Sequence, residues 1–216
     1  MPSPSEADRY SILKFARQVV IEGVTLGRLP EHVPTDGIFA ERRGVFVTLR
    51  VNSHLRGCIG VVEADTPLGD SVARCAAGAA LQDPRFAPMR VADLSQLQIE
   101  ISLLSQPEPI AINAIEIGRH GLIVVSGDRR GLLLPQVAVE HNLDREHFLS
   151  ETCRKAHLLR DAWRDARTQI LGFTCDVFSD ADMELTPVGA KSLGEAAEKK
   201  NPRDVLSRGP EKPTVV

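Results

Sequence analysis

Cys58 is the residue whose sequence surroundings best support chemistry. It lies in the run LRGCIG at residues 55–60. Alternate side chains of a strand point to the same face, so we expect His54, Arg56 and Cys58 to share one face. A neighbouring guanidinium lowers the pKa of a thiol by favouring the thiolate, and an imidazole could accept its proton. The pattern therefore predicts a nucleophilic or redox-active Cys58 with Arg56 as its activating cation.

The same run also has a purely structural interpretation. Buried, inert thiols are common, and Cys58 could fill a small gap in the core while Arg56 pairs with a carboxylate. The alternation predicts that Leu55 and Ile59, on the opposite face, are core residues. His54 and Cys58 have no third ligand near them in the sequence, so we predict no metal site, and we predict no cofactor.

Three further segments carry candidate ligand-binding residues. Arg85 could hold an anion through its planar fork, or it could only pair with Asp83 where Pro84 stops a helix. His120, beside Arg119, could carry a proton or be a structural histidine. Gln136 follows Pro135 at a helix start, where backbone N–H groups attract anions. The predicted catalytic pair is Cys58 and Arg56, and the predicted ligand-binding residues are Arg85, Arg119, His120, Gln136 and His54.

The elements that must position these residues follow from hydrophobic periodicity and turn residues. We predict helices from Ser5 to about Glu22, from Pro67 through an alanine-rich stripe, and from Pro135 and Asp144. We predict strands at residues 37–40, 45–49, 55–62, 97–103, 120–125, 130–134 and 169–178. Sequential hairpins followed by packed helices indicate an α+β fold, mainly an antiparallel sheet packed with helices. We expect one domain over residues 1–188 and a disordered tail over residues 189–216, where apolar residues are few.

Composition excludes several classes of function. Lys and Arg number 26 against 29 Asp and Glu, a net charge of −3, and aromatic residues make up 4%. This balance argues against a nucleic-acid partner. No apolar run reaches the length of a membrane span and no signal segment is visible, so we expect a cytoplasmic protein that does not enter the membrane. The four cysteines form no C-x-x-C pair, and we expect free thiols.

The hexapeptide at residues 55–60 resembles the signature of the AMMECR family, also named AmmeMemoRadiSam system protein A. The resemblance runs in order from about Tyr10 to Phe178. It continues through the segments ALQDPRF (80–86), IEISLL (99–104), GRHGL (118–122) and GLLLPQV (131–137). It implies an α+β fold with a larger and a smaller subdomain, and association with a Memo-type protein and a radical SAM protein.

The resemblance leaves the reaction open, so two functions remain. In one, the chain is a component of a modification pathway that uses the Cys58 thiol. In the other, it is a non-catalytic adaptor that binds a ligand or partner. The chain departs from the family pattern at Asn142 and His157, where glycine is frequent. Asn142 can take the left-handed backbone conformation that glycine would supply, and His157 takes it less easily.

Overall fold

The structure is a computed structural model that describes residues 3–62, 65–183 and 214–215. Over these residues it contains the helices α1 (Glu6–Leu26), α2 (Leu68–Leu81), α3 (Pro135–Glu140) and α4 (Arg145–Lys155). The strands are β1 (Val45–Val51), β2 (His54–Val61), β3 (Leu97–Leu104), β4 (Glu108–Pro109), β5 (Gly121–Ser126), β6 (Arg129–Leu133), β7 (Gln169–Phe173), β8 (Cys175–Ser179) and β9 (Thr214–Val215). Two antiparallel sheets packed with helices confirm the predicted α+β fold.

Two compact units divide the chain. The larger comprises the described residues within Pro2–Leu103 and Asp176–Val216, and the smaller comprises Leu104–Cys175. A five-stranded sheet in the order β8-β3-β1-β2-β9 belongs mainly to the larger unit, and a four-stranded sheet in the order β4-β7-β5-β6 belongs to the smaller. Each unit has its own cluster of buried apolar side chains.

The helix α1 begins with a reciprocal cap. Ser5 Oγ accepts a hydrogen bond from Asp8 N (3.2 Å), and Asp8 Oδ2 accepts one from Ser5 N (3.0 Å). These bonds satisfy backbone donors that the first turn leaves unpaired. The helix continues through Gly23 and ends at Gly27, which has φ 65°. It is therefore one turn longer than predicted, because a single glycine costs a helix only about 1 kcal/mol.

The helix α2 packs against β1 and β2. Its alanine-rich stripe is buried, as predicted, and so is Gly78, whose Cα faces the side chain of Ile59. A helix whose residues are this small lets its backbone approach the sheet closely. The segment that carries Cys58 is therefore held from one side by helix backbone.

A β-bulge interrupts the hairpin of β1 and β2. Gly57 pairs with Leu49, but the next pair is Leu55 with Arg50, so Arg56 has no partner on β1. The extra residue reverses the alternation of faces at this point. Leu55 is 38% exposed and does not lie in the core, so that part of our prediction is wrong, whereas Ile59 is a core residue as predicted.

Two predicted strands differ in the structure. Residues 37–40 form a short 3-10 helix, and β1 pairs instead with β2 through a turn at Asn52 and Ser53, which have φ 50° and 65°. The single strand predicted over residues 169–178 is broken at Thr174 into β7 and β8. These two strands belong to different sheets.

Most of the predicted tail, residues 189–216, lies outside the described residues. Its Thr214 and Val215 form β9, which pairs with Gly60 and Ile59 of β2. Across the described parts of the chain, no helix combines the length and the apolar character needed to cross a membrane.

Candidate functional site

The Cys58 side chain lies beside the hydroxyl of Thr48. The two residues are opposite each other in the β1–β2 ladder, and Thr48 Oγ1 is 3.3 Å from Cys58 Sγ. Only 7% of Cys58 is exposed. The thiol is therefore a buried group that lies against a hydroxyl on its own sheet face.

Asp83 and Arg85 hold the backbone of Cys58 at both its donor and its acceptor. Cys58 N donates to Asp83 Oδ2 (2.9 Å), and Arg85 Nη2 donates to Cys58 O (3.2 Å). Both residues lie just after α2, where Pro84 prevents the helix from continuing. A strand edge is thereby bonded to side chains of the neighbouring turn.

The same two side chains bond to each other. Arg85 N and Nε donate to Asp83 Oδ1 at 3.1 Å and 3.0 Å, and Arg85 Nη2 donates to Asp83 Oδ2 at 2.8 Å. Burial raises the pKa of Asp83, but the hydrogen bonds from Arg85 and Cys58 outweigh it, so the pKa lies below its ordinary value. We call Cys58, Asp83 and Arg85 the Cys58 clamp.

The pKa of Cys58 is raised, which is the opposite of our expectation. Burial is the largest cause, and the charges of Asp83 and Glu100 act in the same direction. The hydrogen bond with Thr48 and the charge of Arg85 lower the pKa but do not outweigh burial. In this conformation Cys58 is a neutral thiol rather than an activated thiolate.

Arg56, which we predicted to activate Cys58, bonds elsewhere. Its Nη1 and Nη2 donate to the carbonyl oxygens of Ala87 (2.6 Å) and Pro88 (3.3 Å). Its Nη2 also lies 3.8 Å from a carboxylate oxygen of Asp93. The bulge explains this, because it turns Arg56 out of the strand alternation that the sequence suggested. Arg85 is the cation that acts on the thiol.

His54 also lies away from the thiol. It pairs with Val51, so it belongs to the opposite face from Thr48 and Cys58. Its Nδ1 bonds to the carbonyl oxygen of Asn52 at 2.8 Å, and the residue is exposed. Within the described parts of the chain, no three His, Cys, Asp or Glu side chains form a group that could hold a metal ion.

Gly57 and Gly60 permit close packing on both faces of β2. A Cβ at Gly57 would overlap the carbonyl group of Ala79 in α2. A Cβ at Gly60 would overlap the ring of Phe46 on β1. The space beside both glycines is therefore filled by the protein itself.

Arg85 pairs with Asp83, which was the alternative to anion binding, and its side chain is partly exposed. Its guanidinium carbon lies 5.5 Å from the ring centre of Phe86, and 36% of its side chain is exposed. Asp83 is the residue that sequence reasoning missed as part of the site. Its position in the ALQDPRF segment was visible, but nothing local showed that the carboxylate bonds to Cys58.

The other predicted binding residues belong to the smaller unit. Arg119 pairs with Glu116 (3.1 Å), and His120 Nδ1 accepts a hydrogen bond from Glu116 N (3.0 Å). These contacts favour a structural role for His120 in a turn over a role as a proton carrier. Gln136 lies at the start of α3, and its Oε1 is buried without a hydrogen-bond partner among the described residues. The ligand-binding roles of these three residues stay predictions.

None of the four cysteines is joined to another in a disulfide. Burial raises the pKa of Cys75 to about 12 and also raises the pKa of Cys153. Cys175 is half-buried. Cys58 differs from them in its bonds to the Asp83–Arg85 pair.

Comparison with known proteins gives a consistent result. The AMMECR1 family model matches residues 13–178. A protein of Methanothermobacter thermautotrophicus is 41% identical over 186 residues, which cover 82% of this chain and 96% of that protein. A protein of Methanosarcina barkeri is 43% identical over 169 residues, covering 74% of this chain and 84% of that protein. The crystal structure of an uncharacterised protein from Pyrococcus horikoshii has 37% identity and a TM-score of 0.73, covering 83% of this chain and 92% of that one. The chain therefore belongs to the AMMECR1 family.

Proposed function

We propose that this chain is a non-catalytic binding component of a modification pathway, and that the Cys58 clamp is part of its recognition surface. The observation that carries the proposal is the bonding of Cys58 at both backbone N and O by Asp83 and Arg85, with the thiol itself buried. A neutral, enclosed thiol is a poor nucleophile. A rigid backbone beside a partly exposed Arg85 side chain suits contact with a partner, because little conformational freedom is left to lose on binding.

The partners we propose are a Memo-type protein and a radical SAM protein, as the family resemblance implies. Arg85 is the side chain we assign to contact with a partner or its bound ligand. Its pairing with Asp83 fixes the planar fork in one orientation, which reduces the conformational entropy lost on binding.

A second candidate function uses the thiol chemically. It is favoured by Thr48 and Arg85, which both lower the pKa of Cys58 against the effect of burial. A partner that opened the clamp to water would relieve the burial of Cys58, and its pKa would then fall.

The test uses the full chain together with the Memo-type and radical SAM proteins of the same genome. Co-purification and the formation of modified product are measured for Cys58→Ala, Arg85→Lys and Cys175→Ala, the last as the thiol control. Binding by an adaptor predicts that Cys58→Ala keeps both readouts and that Arg85→Lys weakens co-purification, because a point charge replaces a planar fork.

Loss of product in Cys58→Ala with intact co-purification would replace the adaptor by the thiol function. If the three proteins do not associate and the wild-type chain has no effect on product formation, the pathway assignment is wrong. Thermal unfolding of each variant shows whether a loss comes only from unfolding.

A further inference from the structure

The smaller unit has a cavity of its own. Among the described residues that line it, none belongs to the Cys58 clamp. The cavity has a volume of about 660 Å³. Volumes of about 300–1,000 Å³ are typical of sites for small organic molecules. It is bounded by the end of β6, by α3 and by α4, and its described lining residues lie within Leu104–Cys175.

One side of the cavity is apolar. Leu133 of β6, Val137 of α3 and Leu143 of the connection to α4 line it, and all three are half-buried. An apolar body that covers half-buried apolar side chains lowers the free energy by about 25 cal/mol for each Å² of apolar surface removed from water. This side of the cavity therefore fits a hydrocarbon or aromatic group.

The other side of the cavity is basic. His147, Glu151 and Lys155 follow one another at four-residue intervals, so they lie on one face of α4. Glu151 is the only acidic residue in the described lining, and it already pairs with Arg154 (2.6 Å) and Arg160 (3.1 Å). Among the described residues, Lys155 has no ion-pair partner. The charge presented to a ligand is therefore positive.

His157 adds an imidazole to the basic side under an unusual backbone constraint. Its backbone has φ 56°, a conformation that residues other than glycine rarely adopt. Its N–H donates to Arg154 O (3.0 Å), and its carbonyl accepts from Arg129 Nη1 (2.8 Å). These bonds hold the backbone at the cavity edge, with the exposed imidazole among the lining side chains.

The third imidazole of the lining is His141, which directly follows α3. Within the described residues, the three histidines do not form a group close enough to share a metal ion. The imidazoles of His141 and His157 are candidate hydrogen-bond donors to a ligand, whereas His147 Nδ1 lies 2.9 Å from Asp144 Oδ1. Imidazole N–H groups with Lys155 and Arg154 suit the several oxygen atoms of one anionic group.

We propose that this cavity binds an organic anion, a carboxylate, sulfonate or phosphate carried on an apolar or aromatic body. The apolar body lies against Leu133, Val137 and Leu143, and the anionic group lies toward Lys155 and His157. Inorganic phosphate alone binds more weakly, because it leaves the apolar side uncovered.

The test uses two fluorescent probes that differ in one group. 8-Anilinonaphthalene-1-sulfonate has an apolar body with an anionic group, and N-phenyl-1-naphthylamine has the same body without it. The expected result is saturable one-site binding of the sulfonate. Lys155→Gln should weaken the sulfonate by about two- to fivefold, the range measured for exposed charge pairs, and leave the uncharged probe unchanged.

Lys14→Gln is the matched control, because Lys14 is an exposed lysine on α1 outside the cavity. His157→Gly should also weaken the sulfonate, without loss of stability, because glycine favours the backbone conformation at this position. Amide NMR shifts on titration should concentrate in residues 133–157. The proposal is overturned if binding does not saturate, if Lys155→Gln and Lys14→Gln have equal effects, or if the shifts concentrate elsewhere.

Discussion

Two Asp-x-Arg pairs in this chain have the same local geometry in different surroundings. Asp165 accepts from Arg167 N, Nε and Nη2 in the same pattern in which Asp83 accepts from Arg85. The side chain of Asp83 is 1% exposed and that of Asp165 is 40% exposed. Asp83 also accepts the N–H of Cys58. Asp165 is therefore an exposed control for the buried Asp83.

We predict that Asp83→Ala lowers the free energy of unfolding by about 1–3 kcal/mol, the range for leaving a buried hydrogen-bonding group without its partner. It leaves Cys58 N without its acceptor and Arg85 without its carboxylate. Asp165→Ala should cost much less, because water replaces the lost contacts at an exposed site. Guanidinium denaturation at neutral pH measures both variants. Equal losses would show that the bond to Cys58 contributes nothing to stability.

Cys75 gives a prediction at alkaline pH. Burial raises its pKa from 9.0 to about 12 in the folded chain. Above about pH 9 the unfolded thiol loses its proton while the native thiol keeps it, so the stability that this group contributes is full below pH 9 and is lost between about pH 9 and pH 12. The loss is at most about 1.4 kcal/mol per pH unit.

The measurement compares the wild type with Cys75→Ala between pH 7 and a pH of about 10. Groups that titrate in both proteins cancel in the difference. We expect the stability of the wild type relative to the variant to fall as pH rises above about 9, as burial of an ionisable thiol requires. Parallel curves over the whole range would contradict a buried, protonated Cys75.

Only part of the Cys58 site could be predicted from the sequence. The hexapeptide identified Cys58, and the ALQDPRF segment identified Arg85. Sequence reasoning assigned the thiol's cation to Arg56, because regular alternation places residues 56 and 58 on one face. The bulge at Arg56 breaks that alternation, and its cause lies in pairing with β1, which no local pattern of β2 contains.

At the scale of elements, two glycines show how tightly α2 packs. Gly57 lies against the carbonyl of Ala79, which is backbone and cannot move alone. In α1, a Cβ at Gly23 would lie 3.5 Å from Leu81 Cδ1, an ordinary contact with a flexible side chain. The same substitution should therefore have opposite effects at the two positions.

We predict that Gly57→Ala destabilises the chain by about 1–3 kcal/mol, the cost of forcing extra volume into a packed core. Gly23→Ala should stabilise it by up to about 1 kcal/mol, because alanine is the better helix former. Thermal unfolding of the two variants beside the wild type measures both signs. A stable Gly57→Ala would mean that α2 does not pack on β2 as the structure describes.

The limits of element prediction here come from tertiary pairing. Residues 37–40 have a strand-like composition, yet β1 has its two neighbours in β2 and β3, and GIFA forms a 3-10 turn. Residues 169–178 read as one strand because both halves are apolar enough. They divide into two strands because β7 and β8 pair with strands of different sheets, and these pairings join residues far apart in the sequence. Helix starts were better predicted, since capping residues act locally.

At the scale of the whole molecule, each unit has its own apolar cluster. Leu13 is among the fully buried residues of the larger unit's cluster. Phe148 and Trp163 belong to the cluster of the smaller unit. Trp163 is the single tryptophan of the chain, so its fluorescence reports on the smaller unit alone. The order of motifs along the chain predicted the family and the α+β class, but not which strands share a core.

We predict that the two clusters unfold as separate cooperative units, because contiguous packed regions open with their own free energies. Phe148→Ala should cost the smaller unit about 3–5 kcal/mol. It should lower the guanidinium midpoint of Trp163 fluorescence and leave amide hydrogen exchange in α1 nearly unchanged. Leu13→Ala, at a cost of about 2–5 kcal/mol, should accelerate exchange in α1 and leave the fluorescence midpoint nearly unchanged. If either variant shifts both readouts by the same free energy, the chain unfolds as one cooperative unit.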